Sequence, residues 1–125
     1  MRPRRVMLES PFNGPCPRHT MHDPSCRACK SARVGCLLYL DRAMRDSIHR
    51  GEAPFASQVM YPPFLDEDVP AERELGINLG HAWLGSCDAL VVYADGPGGI
   101  TRGMLERTQI AERMGVTVET RRLSR

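Results

Sequence analysis

Three of the chain's five cysteines and two of its four histidines fall within fourteen positions, between Cys16 and Cys29. Cys16-Pro17-Arg18-His19 is a CxxH pair, Cys26-Arg27-Ala28-Cys29 is a CxxC pair, and His22 lies between them. Zinc takes four sulfur or nitrogen ligands at the corners of a tetrahedron, and two paired turns deliver two ligands each. The expected set is Cys16, His19, Cys26 and Cys29, with His22 able to replace His19. Four protein ligands leave no position for water, which defines a structural site rather than a catalytic one. Cys36 and Cys87 stand apart and read as small buried apolar residues.

A second group of residues suits a ligand crevice. Gly96-Pro97-Gly98-Gly99-Ile100-Thr101-Arg102-Gly103 is glycine-rich and leads into a helical pattern that includes Met104. Glycines let a ligand approach the backbone, and a helix N-terminus offers unpaired N–H groups to an anion. Thr101 can cap that helix or bond a phosphate, and Arg102 can pair with one. The spacing is neither a Walker loop nor a GxGxxG fingerprint. Three carboxylates, Glu9, Asp95 and Glu106, fall near the same end of the expected strands, as does Ser10. A carboxylate there can bind ribose hydroxyls or attack an anomeric carbon.

The elements that must position these groups alternate. Arg5–Glu9 is an apolar run closed by the turn residues Ser10 to Gly14, so it reads as a first strand. Pro15 to Lys30 holds few aliphatic residues and cannot build a core of its own. From Ala32 to Arg50 the spacing of Leu37, Leu38, Leu40, Ala43, Met44 and Ile48 predicts a helix stopped by Gly51. Pro54 to Tyr61 reads as a second strand. Asp66 to Asp68 and Pro70 open a helix to Leu84 expected to bury Leu75, Leu79, Ala82 and Trp83. Asp88 to Tyr93 is a continuous apolar run of the kind buried on both faces. A helix from Arg102 to Met114 and a strand from Val116 to Glu119 complete the order.

Such β-α-β alternation predicts an α/β fold, a mostly parallel sheet flanked by helices, because parallel strands need crossovers. The chain of 125 residues has room for a single domain, 1–125, with residues 13–35 as a Cys/His-rich insertion after strand 1. Ligands in such folds sit beyond the carboxyl ends of the strands, where strand order reverses. The loops 9–14 and 95–103 fit that address.

Charge narrows the partners. A net charge of +2 and 6% aromatic residues argue against nucleic-acid recognition. The arginines concentrate at the ends, with Arg2, Arg4 and Arg5 at one and Arg121, Arg122 and Arg125 at the other, and read as solvated tails. No stretch approaches the roughly 20 apolar residues of a membrane span, and no secretory signal is visible. A cytoplasmic, reducing location is expected, where clustered cysteines hold metal rather than form disulfides.

The residues also resemble a family. VMLESPF at 6–12, YLDRAMRDSIHRGEAPFASQVMYP at 39–62 and CDALVVYADGPGGITRGMLERTQIAERMGVTVE at 87–119 resemble the nucleoside 2-deoxyribosyltransferase-like superfamily. The likeness is to its small, often bacteriophage-encoded members, and it covers nearly everything outside residues 13–35. It implies a flavodoxin-like parallel sheet of the Rossmann-like kind and assembly as a homo-oligomer. It also implies cleavage or transfer at the N-glycosidic bond of a nucleoside or nucleotide, the work of a hydrolase or transferase. The alternative is a non-catalytic binder of a nucleotide-like metabolite or signal.

Under the resemblance, Glu9, Ser10, Pro11 and Phe12 match the loop that contacts the nucleoside. Gly96, Gly98, Gly99, Thr101, Arg102, Gly103 and Met104 would receive the sugar or phosphate, and Arg45 or Arg102 would supply charge. The superfamily's nucleophile is a helix glutamate four residues after a glycine matching Gly103. Here that place holds Arg107, and Glu106 precedes it, about 100° round the helix. The catalytic set is therefore Glu106 or Glu9, with Asp95 assisting.

Overall fold

A computed structural model describes residues 2–13, 16–19 and 22–124. The central run of apolar residues, β3 (Ala89–Tyr93), is buried along its whole length, as the sequence demands of a strand covered on both faces. It pairs in parallel with β1 (Arg5–Glu9) on one side and with β4 (Thr117–Arg121) on the other. The short β2 (Ala53–Phe55) pairs with the outer side of β1, giving an all-parallel sheet of order β2-β1-β3-β4. This is the flavodoxin-like doubly wound order without its fifth strand.

Alternation along the strands sorts the core into two layers. Val6, Leu8, Ala89, Val91 and Tyr93 pack against Tyr39, Leu40 and Ala43 of α1 (Arg27–His49). On the opposite face Met7, Leu90 and Val92 pack against Leu84 and against Met104 and Ala111 of α4 (Arg102–Arg113). The same side carries α2 (Ser57–Met60) and α3 (Pro70–Trp83). Short 3-10 turns at Pro62–Phe64 and Leu84–Ser86 join them. No helix among the described residues is long and apolar enough to cross a membrane.

Four expectations are corrected. First, α1 begins at Arg27 rather than near Ala32, because the Lys30 N–H already donates to the Cys26 carbonyl at 3.0 Å. The CxxC pair therefore opens the helix instead of preceding it, and Leu38 and Ile48 lie on its exposed side. Second, the apolar run 54–61 stays extended only to Phe55. The chain turns away at Ala56, and α2 satisfies its own backbone, with Tyr61 N donating to Ser57 O at 3.3 Å.

Third, α3 buries Gly76 and Gly80, not the large side chains beside them. Leu75, Leu79 and Trp83 are exposed at 50%, 37% and 50%, and Ala82 is exposed too. The glycine face wins because it lets the helix approach closely. A Cβ on Gly80 would come within 2.8 Å of Arg107 and 2.9 Å of Ser57. Fourth, two of the terminal arginines are not solvated tails. Arg121 grips Glu52 with two hydrogen bonds of 2.6 and 2.7 Å, and Arg4 pairs with Glu119 and Glu52. Arg125 lies outside the described residues.

Candidate functional site

The two polar regions singled out by the sequence both lie at the carboxyl end of the sheet. Tyr39 of α1 donates its hydroxyl to Asp95, two residues past β3, so this residue is level with the strand tips. Residues 27–38 precede Tyr39 in α1 and so lead beyond the strand tips. The metal-type cluster stands on this overhang. Cys16, His19, Cys26 and Cys29 bring their ligand atoms to within 4.8 Å of one another.

Cys16 Sγ lies 3.2 Å from His19 Nδ1 and 3.9 Å from Cys26 Sγ, and Cys29 Sγ lies 3.5 Å from the same imidazole nitrogen. Three thiols and one imidazole converging this closely are positioned to bind a metal ion, and the donor set suits a soft or borderline one. Hydrogen bonds with the backbone at Asp23 and Cys16 draw the Cys29 thiol down to about 6, toward the thiolate that ligates. Asp23 Oδ2 stands 3.8 Å from the other ring nitrogen of His19. Asp23 is itself fixed by the Ser25 N–H at 2.9 Å and hydroxyl at 2.7 Å. His22 is not one of the four.

The expected crevice address, beyond the end of β1 where strand order reverses, holds a cluster of buried polar groups. Its floor is a buried ion pair: Glu9 Oε2 and Arg107 Nη1 are 3.6 Å apart, with both side chains under 10% exposed. Burial pushes Glu9 up to about 7, and the Arg107 charge pulls against it. Arg107 Nη1 also donates to Ser57 Oγ at 3.2 Å and touches Met7 Sδ at 3.1 Å. Gln58 Nε2 donates to the Ser10 carbonyl at 3.2 Å. Glu9 Oε2, Arg107 Nε, Gln58 Oε1 and His81 Nδ1 are all buried without a hydrogen bond. Each such group costs about 1–3 kcal/mol, so a cluster of them marks a place where further partners belong. Burial, then the Arg107 charge, lowers the His81 pKa.

The structure brings Glu9, Ser10 and Pro11 to this floor and separates the other expected acids from it. Glu106 points to solvent at 58% exposure and lies 3.5 Å from Arg102, itself 94% exposed. Asp95 accepts from Tyr39, from the Leu123 and Ser124 N–H groups at 3.0 and 2.9 Å, and from the Ser124 hydroxyl at 2.6 Å. These bonds hold its carboxyl well below the usual range and tie it to the C-terminal segment.

Gly96 is a contact glycine: a Cβ there would meet the Tyr39 ring at 2.8 Å and Pro11 at 3.2 Å. Gly98 and Gly99 adopt φ of +78° and +67° and turn the chain into α4. Thr101 caps that helix, accepting from the Met104 N–H at 3.3 Å, while Met104 is buried in the core and Gly103 is exposed. Arg45 is exposed on α1, about 9 Å along the helix from Tyr39, away from the overhang. Phe12 lies under the Arg33 guanidinium, 5.4 Å from ring centre to charge.

Sequence reasoning did not find Arg33, Ser57, Gln58, Gly80 or His81. Ending the second strand at Phe55 would have placed Ser57 and Gln58 at a ligand-facing strand end. The Gly76–Gly80 spacing, one helical turn, was the available signal for a close-packed face.

Fold and sites together define a doubly wound α/β domain with a metal-type Cys/His cluster after its first strand. The chain belongs to the DUF7768 family, described as a domain of unknown function, which it matches over residues 4–121. No curated protein matches it significantly.

Proposed function

We propose that this domain binds a nucleoside or nucleotide above Glu9 and Arg107 and cleaves or transfers its N-glycosidic bond, with Glu9 as the acid–base carboxyl. The observation that carries the reading is that Glu9 Oε2, Arg107 Nε and Gln58 Oε1 are buried without hydrogen bonds, on side chains that meet at Glu9 and Ser10. A hydroxyl- and nitrogen-rich ligand supplies partners for such atoms. A carboxyl near 7 exists in both protonation states at neutral pH. It can therefore protonate a departing base and afterwards accept a proton from water. A non-catalytic binder is the second reading. It is favoured by Arg107 standing where the resemblance expects a nucleophile, and by Glu106 facing solvent.

Incubation with a panel of deoxynucleosides and their monophosphates, followed by chromatography for free base, tests the chemistry. Equilibrium dialysis on the same panel tests binding. Release that is lost in Glu9→Gln while binding persists supports the enzyme. Binding without release supports the second reading, and absence of both removes the two together.

The metal we assign to the cluster is zinc, in a structural role. A tetrahedron with Zn–S bonds of about 2.3 Å has edges of about 3.8 Å between sulfurs, shortening where nitrogen replaces one. The 3.9, 3.2 and 3.5 Å separations follow that pattern. Purified protein should carry about one zinc per chain by elemental analysis, and metal-free protein with residues 16–30 fully protected from amide exchange would contradict it. The exposed stripe of Leu75, Leu79 and Trp83 supports a homo-oligomer. Sedimentation showing a monomer at all concentrations would exclude that assembly.

A further inference from the structure

Arg33 has no part in either site as described, yet it connects them. It lies one helical turn after Cys29 on the overhang of α1. Its Nε donates to Asn13 Oδ1 at 2.6 Å, its Nη2 to Asp68 Oδ1 at 3.3 Å, and its charge covers the Phe12 ring. Phe12 and Asn13 continue the β1 loop directly from Glu9, Ser10 and Pro11. Asp68 belongs to the turn that enters α3. Gly80 packs on Ser57, just past the end of β2, and residues 70–79 lead from there back to Asp68. One guanidinium thus bridges the β1 loop, the α1 overhang and the turn into α3.

We infer that metal at Cys16, His19, Cys26 and Cys29 sets the crevice geometry through Arg33, which acts as a positioning residue closing its roof. The inference rests on the metal and crevice assignments made above. The first turn of α1 carries Cys26 and Cys29, and Cys16 comes from the loop that leaves β1. One ion ligated by all of them fixes the helix start against that loop. Arg33 is then held at a distance where it reaches Asn13 and Asp68 together. Without the ion, the links from the overhang to the β1 loop among the described residues are the Arg33 contacts with Asn13 and Phe12. The Arg33–Asp68 pair is exposed and so weak. By linkage, metal and crevice ligand then change each other's affinity by the same factor.

The decisive measurement needs no ligand. Nitrogen-15 NMR of the full chain, with zinc bound and after chelation, reads the Arg33 Nε–H signal and the backbone signals of Phe12, Asn13 and Asp66 to Asp68. Zinc should slow solvent exchange of the Arg33 Nε–H at least tenfold and shift the Asp66–Asp68 signals. In Arg33→Ala, zinc should still shift residues 16–30 but leave Asp66–Asp68 unmoved. Arg33→Lys keeps the charge without the forked donor and should fall between the two.

Zinc uptake with no response at Asp66–Asp68 in the wild type overturns the inference. So does an equal response there in Arg33→Ala, since another path would then carry it. Failure to take up zinc, seen by elemental analysis, overturns the metal assignment instead. If a nucleotide binds, its affinity should fall on chelation in the wild type and stay constant in Arg33→Ala.

Discussion

Glu9 and Arg107 place opposite charges side by side in the interior, and the carboxyl still titrates late because burial penalises its charged form more than Arg107 relieves it. Folding therefore depends on pH in a defined direction. Between 4.5 and about 7 the native Glu9 keeps a proton that the unfolded chain has lost. Its contribution to stability is whole below 4.5 and is lost as pH rises to about 7. Urea midpoints for wild type and Glu9→Gln should diverge across that window, wild type losing up to about 3 kcal/mol relative to the variant. A pH-independent difference would mean that Arg107 keeps Glu9 ionised throughout.

Asp95 has the opposite character, a carboxylate stabilised by four donors, three of them from Leu123 and Ser124. Asp95→Asn turns an amide N–H₂ toward those donors. Amide exchange at Leu123 and Ser124 should then approach unfolded rates while β3 keeps its protection.

At the scale of elements, α3 shows how a helix can present its large apolar residues outward. Its glycine stripe packs on Ser57, Arg107, Leu65 and Tyr61, and the leucine stripe lies about 100° round the helix. Gly80→Ala should therefore destabilise the domain by about 1–3 kcal/mol, the usual cost of forcing extra volume into a packed contact. It should also displace Arg107 from Ser57. Leu75→Ser, on the exposed stripe, should stay within about 0.5 kcal/mol in dilute protein. Thermal melts of the two variants distinguish this packing from one with the leucines inside, which would reverse the order. Trp83 joins the two sides, its ring tilted 40° against Phe55 at 5.7 Å between centroids while its indole N–H donates to the Tyr61 hydroxyl at 2.7 Å.

Across the whole molecule, stability and the metal cluster occupy different places. The two core layers enclose the sheet and the part of α1 from Tyr39 onward, whereas the cluster stands on the overhang. Chelation should consequently remove protection from residues 16–30 and leave the amides of β1 and β3 as slow as before. A cooperative loss of both would show that the sheet depends on the ion. A charged network also ties β4 to the segments that enter β1 and β2. Arg121, Glu52, Glu119 and Arg4 form it, extended by the Tyr93 hydroxyl donating to Asp46 at 2.7 Å.

The sequence alone determined the α/β class, the strands β1 and β3, the candidate cap at Thr101 and the paired CxxH and CxxC motifs, because each is written in local spacing. Apolar runs, a capping hydroxyl and paired CxxH and CxxC turns act over a few residues, so neighbours in sequence suffice to reveal them. Only tertiary structure decided that Arg107 meets Glu9, that His19 rather than His22 completes the cluster, and that glycine rather than leucine faces inward on α3. Those outcomes depend on which residues share a space once the chain has folded, from the ten positions between His19 and Cys29 to the hundred between Met7 and Arg107. No periodicity in one segment carries that information.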